Sequence, residues 1–219
     1  AYPDRIGELR KDSKTVYRLS GGRGASLQAG DVLQGKSFIV VADLDGKGRD
    51  ARIYLAAEID REDLKDRFAD LVRSEKQVYW DEERDRIVVA EEEKIGALVL
   101  KSDRIKNPPP GEVAMALLQV IRDRDMRDLP WSKGARAVQD RIAFVKHHEA
   151  NPENWPDIDD ASLLETLEEW LLPYLAGKNR VADLADLKLE EILQAGLEWE
   201  QQQKLDQFAP SNMKVPTGS

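Results

Sequence analysis

The octapeptide Gly30-Asp31-Val32-Leu33-Gln34-Gly35-Lys36-Ser37 satisfies the pattern G-x-x-x-x-G-K-[ST]. Where such a stretch opens a helix, its amides cradle nucleotide phosphates, the lysine reaches the terminal phosphates and the hydroxyl meets magnesium. That chemistry needs the helix, because first-turn amides and the positive dipole end hold the anion. Here the next residues are Phe38-Ile39-Val40-Val41-Ala42-Asp43, a β-branched apolar run that reads as a strand. Val40-Val41-Ala42-Asp43 imitates a Walker B strand, but it would adjoin its own phosphate loop with no helix between. The octapeptide is therefore expected to be a plain loop without nucleotide.

The other groups capable of chemistry do not converge on a site. Asp43, Asp45 and Asp50 around Gly46 lack the twelfth-position glutamate of a calcium loop and suit a hairpin turn instead. His147 and His148 are the only histidines; being adjacent, they point to different sides of a helix. Asp157, Asp159 and Asp160 read as helix caps, and no serine-histidine-carboxylate set can be assembled. Cysteine is absent, which excludes disulfides and thiolate metal sites and agrees with a reducing cytoplasm. No catalytic residue, no metal and no bound cofactor are expected. Trp131, Trp155, Trp170 and Trp199 read as anchors of a helical core.

Charge is the more informative property. The net charge of −9 conceals a division: residues 1–56 hold ten Lys/Arg against seven Asp/Glu, and residues 57–219 hold 23 against 35. A polyanion would meet the N-terminal part. No apolar run approaches the roughly 20 residues that span a membrane, and no secretory signal is visible at the start.

The elements that must position these charges alternate in kind along the chain. Thr15 to Ser20 reads as a strand with Val16 and Leu19 set against Tyr17 and Arg18, followed by the turn Gly21-Gly22-Arg23-Gly24. Phe38–Leu44 and Ala51–Ala57 form a hairpin candidate around Asp45-Gly46-Lys47-Gly48. A helix follows, capped by Asp60, with Leu64, Phe68, Leu71 and Val72 at helical spacing. Strands resume at 77–80, 86–90 and 95–100. Strands interrupted by one helix give the order of an OB-type barrel. Asn107-Pro108-Pro109-Pro110-Gly111 then breaks the chain. Beyond it the apolar stripes are helical: Val113, Leu117, Leu118 and Ile121; Val138, Ile142 and Val145; and Leu163, Leu164, Leu167, Trp170, Leu171 and Tyr174. Ser162 and Glu165 stand at capping-box spacing before the last. Shorter helices are read around 187–193 and 197–208. The fold expected is α+β: an OB-like β-rich module over 1–106, a helical subdomain over 111–209 and a tail over 210–219.

Ala1-Tyr2-Pro3-Asp4-Arg5, Tyr17 to Ala25 and Val41 to Gly46 resemble the region that follows the motor of HrpB-type helicases. Leu129-Pro130-Trp131, Trp155-Pro156-Asp157, Trp170-Leu171-Leu172-Pro173-Tyr174 and Val215-Pro216-Thr217-Gly218-Ser219 continue that resemblance in order. It implies a piece of a DEAH/RHA-type superfamily 2 helicase in which two RecA-like domains, absent here, hydrolyse ATP with magnesium while accessory domains hold the strand. The tail would then lead into a further domain. Neither a D-E-x-H box nor a Q-x-x-G-R motif occurs, so no ATPase residue carries over.

The two readings meet at the basic module. Arg10, Lys11 and Lys14 precede the strand at 15–20, Arg18 lies on it, Arg23 is in the glycine turn and Lys47 and Arg49 are at the hairpin tip. With Tyr17 to stack, these form the candidate interface for single-stranded nucleic acid. The alternatives are a protein-docking module and a small NTP-binding protein that uses Gly30–Ser37. Salt-sensitive binding, salt-insensitive binding and nucleotide affinity distinguish the three.

Overall fold

The computed structural model describes residues 3–45 and 50–211. Its contacts form two compact units, Ala1–Gln77 with Val89–Lys106, and Val78–Val88 with Asn107–Ser219.

In the first unit, strands β1 (Ile6–Leu9), β2 (Val16–Leu19), β3 (Gly24–Ser26), β4 (Phe38–Leu44) and β5 (Asp50–Glu58) close a barrel in the order β1-β2-β3-β5-β4. The β3–β5 pair is parallel and the other pairs are antiparallel. Closure leaves no free sheet edge. The inward set is Tyr17, Leu19, Ala25, Leu27, Ile39, Val41, Ala51 and Ile53. Strand β2 thus faces inward with Tyr17 and Leu19, one residue out of phase with the expected Val16. A strand's period of two allows no other partner for Leu19.

Two strands escape the sequence reading because they are short and glycine-bearing. Ile6-Gly7-Glu8-Leu9 carries Gly7 where a Cβ would stand 3.1 Å from Ile39 Cγ1, and Gly24-Ala25-Ser26 has no large side chain at all. The expected helix exists as α1 (Arg61–Arg67), but it follows all five barrel strands, and the β3–β4 connection contains no helix. Leu64 of α1 packs with Ile6, Phe38, Ile95, Leu98 and Leu100 in a second apolar cluster.

That cluster draws on a separate sheet, β6 (Arg73–Asp81), β7 (Arg86–Ile95) and β8 (Leu98–Arg104), paired in chain order. The strand expected over 95–100 is divided by a reversal: Ile95 ends β7 and Leu98 begins β8, opposite each other. Gly96 between them has φ +56°, and Ala97 N donates to Ser20 O at 2.8 Å. That bond ties the reversal to the end of β2.

In the second unit, Pro110 opens α2 (Pro110–Asp123), where its missing N–H costs nothing. Ser132 caps α3 (Lys133–His148) by accepting from Ala135 N at 2.9 Å. Both helices bury the expected stripes. The third stripe is not one helix but α4 (Asp160–Glu165), α5 (Leu167–Trp170) and a 3-10 turn over Leu172–Leu175. At the break, Thr166 Oγ1 donates to Ser162 O at 2.8 Å, and Pro173 cannot supply an amide further on. Asp159 is the α4 cap, accepting from Ala161 N and Ser162 N, so Ser162 lies within the helix and the Ser162–Glu165 box is not formed. Hydrogen bonds from the Ser162 hydroxyl and amide hold the Asp159 carboxyl below its ordinary 3.8. Helices α6 (Leu189–Ala195) and α7 (Trp199–Phe208) follow. Trp155 is buried, and Trp131 and Trp170 are half-buried and donate to Met126 O and Leu163 O. Trp199, expected in the core, is 73% exposed.

The tip of the β6–β7 hairpin belongs to this unit. Asp85, at φ +45°, accepts from Val181 N at 3.0 Å and Ala182 N at 2.9 Å, which open the 3-10 turn Val181–Asp186, and from Trp80 Nε1 at 3.3 Å. The Arg124 guanidinium lies 5.0 Å from the Trp80 ring centre. Asp85 is a helix-turn cap supplied from 96 residues away.

Candidate nucleic-acid interface

Because β1 exists, Arg10, Lys11 and Lys14 do not precede the first strand; they occupy the β1–β2 loop. Arg10 N donates to Val16 O at 2.9 Å, and Ser13 Oγ accepts from Thr15 N and Val16 N at 3.1 and 2.9 Å. These bonds consume the loop's inner polar groups and leave the three cations exposed.

Arg18 points outward from β2, with its Cα opposite Glu8 on β1 and Gly24 on β3, and Gly24 is opposite Asp50 on β5. One row across the outer wall is therefore Glu8, Arg18, Gly24, Asp50. The Asp50 carboxylate and the Arg10 guanidinium occupy the space above the glycine, their closest atoms 3.8 Å apart, and would have to move for any side chain there. Burial pushes the Glu8 carboxyl above its ordinary 4.5, against the pull of Arg61, Arg18 and Lys11. Its raised value means that ionised Glu8 opposes folding and that the row grows more positive as pH falls.

Arg23 is exposed in the β2–β3 turn, at the far end of β2 from the loop cations. Lys47 and Arg49, with the reversal assigned to 45–48, fall on or beside residues 46–49, outside the described residues. Tyr17 must be removed from the interface. Its ring is 0% exposed inside the barrel, and its hydroxyl lies 2.9 Å from both Leu33 O and Lys36 O. A buried phenol left unpaired would cost about 1–3 kcal/mol, so those carbonyls fix it inward and no base can reach it.

Sequence reasoning missed Arg52 and Tyr54. Ala51 and Ile53 fill the barrel, which sends Arg52 and Tyr54 to the outer wall, Arg52 opposite Ser26. Strict alternation along 51–54 was the available signal.

The Gly30–Ser37 stretch is a loop closed on itself. Gly30 and Gly35 adopt φ +86° and +78°. Leu33 N donates to Asp31 Oδ1, Gln34 N to Asp31 O, Gly35 N to Lys14 O and Lys36 N to Leu33 O. Lys36 Nζ pairs with Glu58 at 2.9 Å, and Phe38 begins β4 directly. The amides and the lysine of a phosphate cradle are thus committed elsewhere. Calorimetric titration with ATP and magnesium should give no binding heat. A micromolar affinity abolished by Lys36→Ala would refute this.

Among the described residues there is no cluster of three or more His, Cys, Asp or Glu able to hold a metal. His147 and His148 are exposed on α3, Asp160 pairs with Arg136, and Asp157 with Lys146. No helix among the described residues is long and apolar enough to cross a membrane.

A closed barrel of OB strand order bearing a basic loop, followed in the chain by a helical unit, defines an α+β region. A family model described as ATP-dependent helicase C-terminal, of the HrpB type, matches residues 170–219. The ATP-dependent RNA helicase HrpB of Escherichia coli K12 is 35% identical over the whole chain. Two crystal structures cover the whole chain at a TM-score of 0.50, the E. coli DExH-box NTPase HrpB at 34% identity and the E. coli DEAH/RHA helicase HrpB at 31%. Over its whole length the chain is similar to HrpB-type helicases, its last 50 residues matching their C-terminal family model, and it spans 27% of the length of these relatives.

Proposed function

We propose that this chain is a non-catalytic accessory region of an ATP-dependent helicase, and that the outer wall of its barrel holds single-stranded nucleic acid beside the motor. The observation that carries this reading is the joining of Arg10, Lys11 and Lys14 in one loop with Arg18 on the adjoining strand, in an OB-order barrel. Such barrels grip single strands through a positive groove that follows the backbone. On this reading ATP and magnesium belong to RecA-like domains of the same protein, which are this region's intramolecular partners, and the setting is cytoplasmic.

The test is fluorescence anisotropy of the full chain with a labelled oligonucleotide at several salt concentrations. Each phosphate neutralised on a single strand contributes about −0.7 to the slope of log affinity against log salt, so three or four contacts give a slope near −2 to −3. Binding with a flat salt response, or no binding at low salt, would overturn the proposal.

A further inference from the structure

Strand β5 breaks its own alternation at one point. Ile53 is buried, yet Tyr54 and Leu55 are both outward, 55% and 61% exposed. The register explains this: Ile53 pairs with Leu44 and Leu55 with Asp43, so Tyr54 is an extra residue opposite none, and Ala42 is the compensating extra residue on β4. Paired bulges re-aim side chains and recur beside functional sites. Here the result is that a tyrosine and the leucine after it are both exposed on β5.

The surroundings select the occupant. The Arg52 guanidinium stands 5.7 Å from the Tyr54 ring centre, covering one side of the ring. The Gln28 side-chain amide lies against the same guanidinium and accepts from it when its oxygen is the end turned toward Arg52, while Asp45 Oδ1 is engaged by Arg52 N at 2.8 Å. Between Arg52 on β5 and Arg18 on β2 lies β3, whose outward positions are Gly24 and Ser26. Two strand spacings, about 10 Å, therefore separate two arginine-bearing strands, with Ser26 between them at one level and Gly24, covered by the Asp50 carboxylate and the Arg10 guanidinium, at the next. A guanidinium against an exposed aromatic ring, on a wall that also carries Arg10 and Arg18, matches a phosphate backbone with a base turned inward.

We infer that Tyr54, with Arg52 against its ring and the exposed Leu55 next to it in the strand, is the base-stacking subsite of this wall, and that its ligand is an unpaired base of single-stranded nucleic acid. This rests on the proposed function and adds to it a component of affinity that salt does not screen. Stacking on an aromatic side chain tolerates any base, so the subsite confers no sequence preference.

The full chain would be titrated with a labelled single strand of about 12 nucleotides, within the site size of such barrels, and with the same strand carrying abasic spacers. Tyr54→Ala should weaken binding to the intact strand about tenfold with the salt slope unchanged, while Tyr54→Phe retains it. Abasic substitution should weaken the wild-type chain by a similar factor and leave Tyr54→Ala unaffected, a comparison that includes an unmutated protein. Arg52→Gln should lower the slope by about 0.7. If the wild type binds with the expected salt slope but Tyr54→Ala and abasic substitution change nothing, the stacking inference alone fails and the Tyr54–Leu55 pair is a protein contact. If the wild type does not bind at all, both readings fail.

Discussion

Gly96→Ala should melt the β-rich unit on the order of 10–20 °C below the wild type. Two costs add. A left-handed φ of +56° disfavours a side chain by about 1–2 kcal/mol, and the new methyl would run into Ser20 O. That oxygen cannot retreat freely, because it already accepts from Ala97 N. Overpacking against fixed backbone adds roughly 1–3 kcal/mol. A total near 3 kcal/mol in a domain of this size corresponds to the stated shift, since each kcal/mol moves the midpoint about 4–8 °C. Gly22→Ala is the control: its φ is +89°, but nothing lies within 4 Å of the added atom, so only the backbone cost of about 1–2 kcal/mol applies. Melting curves followed by circular dichroism would decide. Equal midpoints for the two variants would show that the Ser20 contact does not anchor the β7–β8 reversal.

The second large effect is on binding. Lys11→Glu and Lys14→Glu combined with Arg18→Gln should reduce affinity for a single strand on the order of a hundredfold at low salt. The low end for a hydrogen bond to a charged group is about 1.5 kcal/mol, and two such losses already give a hundredfold. The salt slope should fall by about 2, close to flat. All three side chains are exposed, so stability should shift by no more than about 0.5 kcal/mol each. Unchanged affinity in a normally folded triple variant would return these cations to ordinary surface charge.

How much of this was legible in the sequence differs by element. The hairpin of β4 and β5 and the stripes of α2 and α3 declare themselves through long apolar runs at a single period, whereas α1 keeps only Leu64 of its expected stripe, with Phe68 at its C-terminal end, Leu71 in a 3-10 turn and Val72 extended. The refusal of Gly30–Ser37 as a phosphate loop needed only the strand that follows it. What escaped was short or locally diverted. Strands β1 and β3 are held by neighbours rather than by their own composition, so Arg10 to Lys14 could not be recognised as a barrel loop. Tyr17 reads as outward in the sequence because Val16 and Leu19 pair only across an odd spacing, and one residue of phase separates a stacking platform from a core side chain. The bulge at Tyr54 is a property of two strands together and has no signature in either alone. Pro173 lacks the amide that a helical stripe takes for granted.

The hairpin that carries Asp85 has a consequence for how the chain is made. Asp85 and its partners Val181 and Ala182 lie 96 and 97 residues apart. At about 5–20 residues per second a ribosome delivers the second half of that contact roughly 5–20 s after the first. Throughout that interval the hairpin tip, with Trp80, Ile87 and Val88, waits without the turn it caps. The helical unit therefore cannot finish folding in the order of its own synthesis: the hairpin tip waits for Val181 and Ala182, and truncation before residue 181 leaves the Asp85 carboxylate without those two amides.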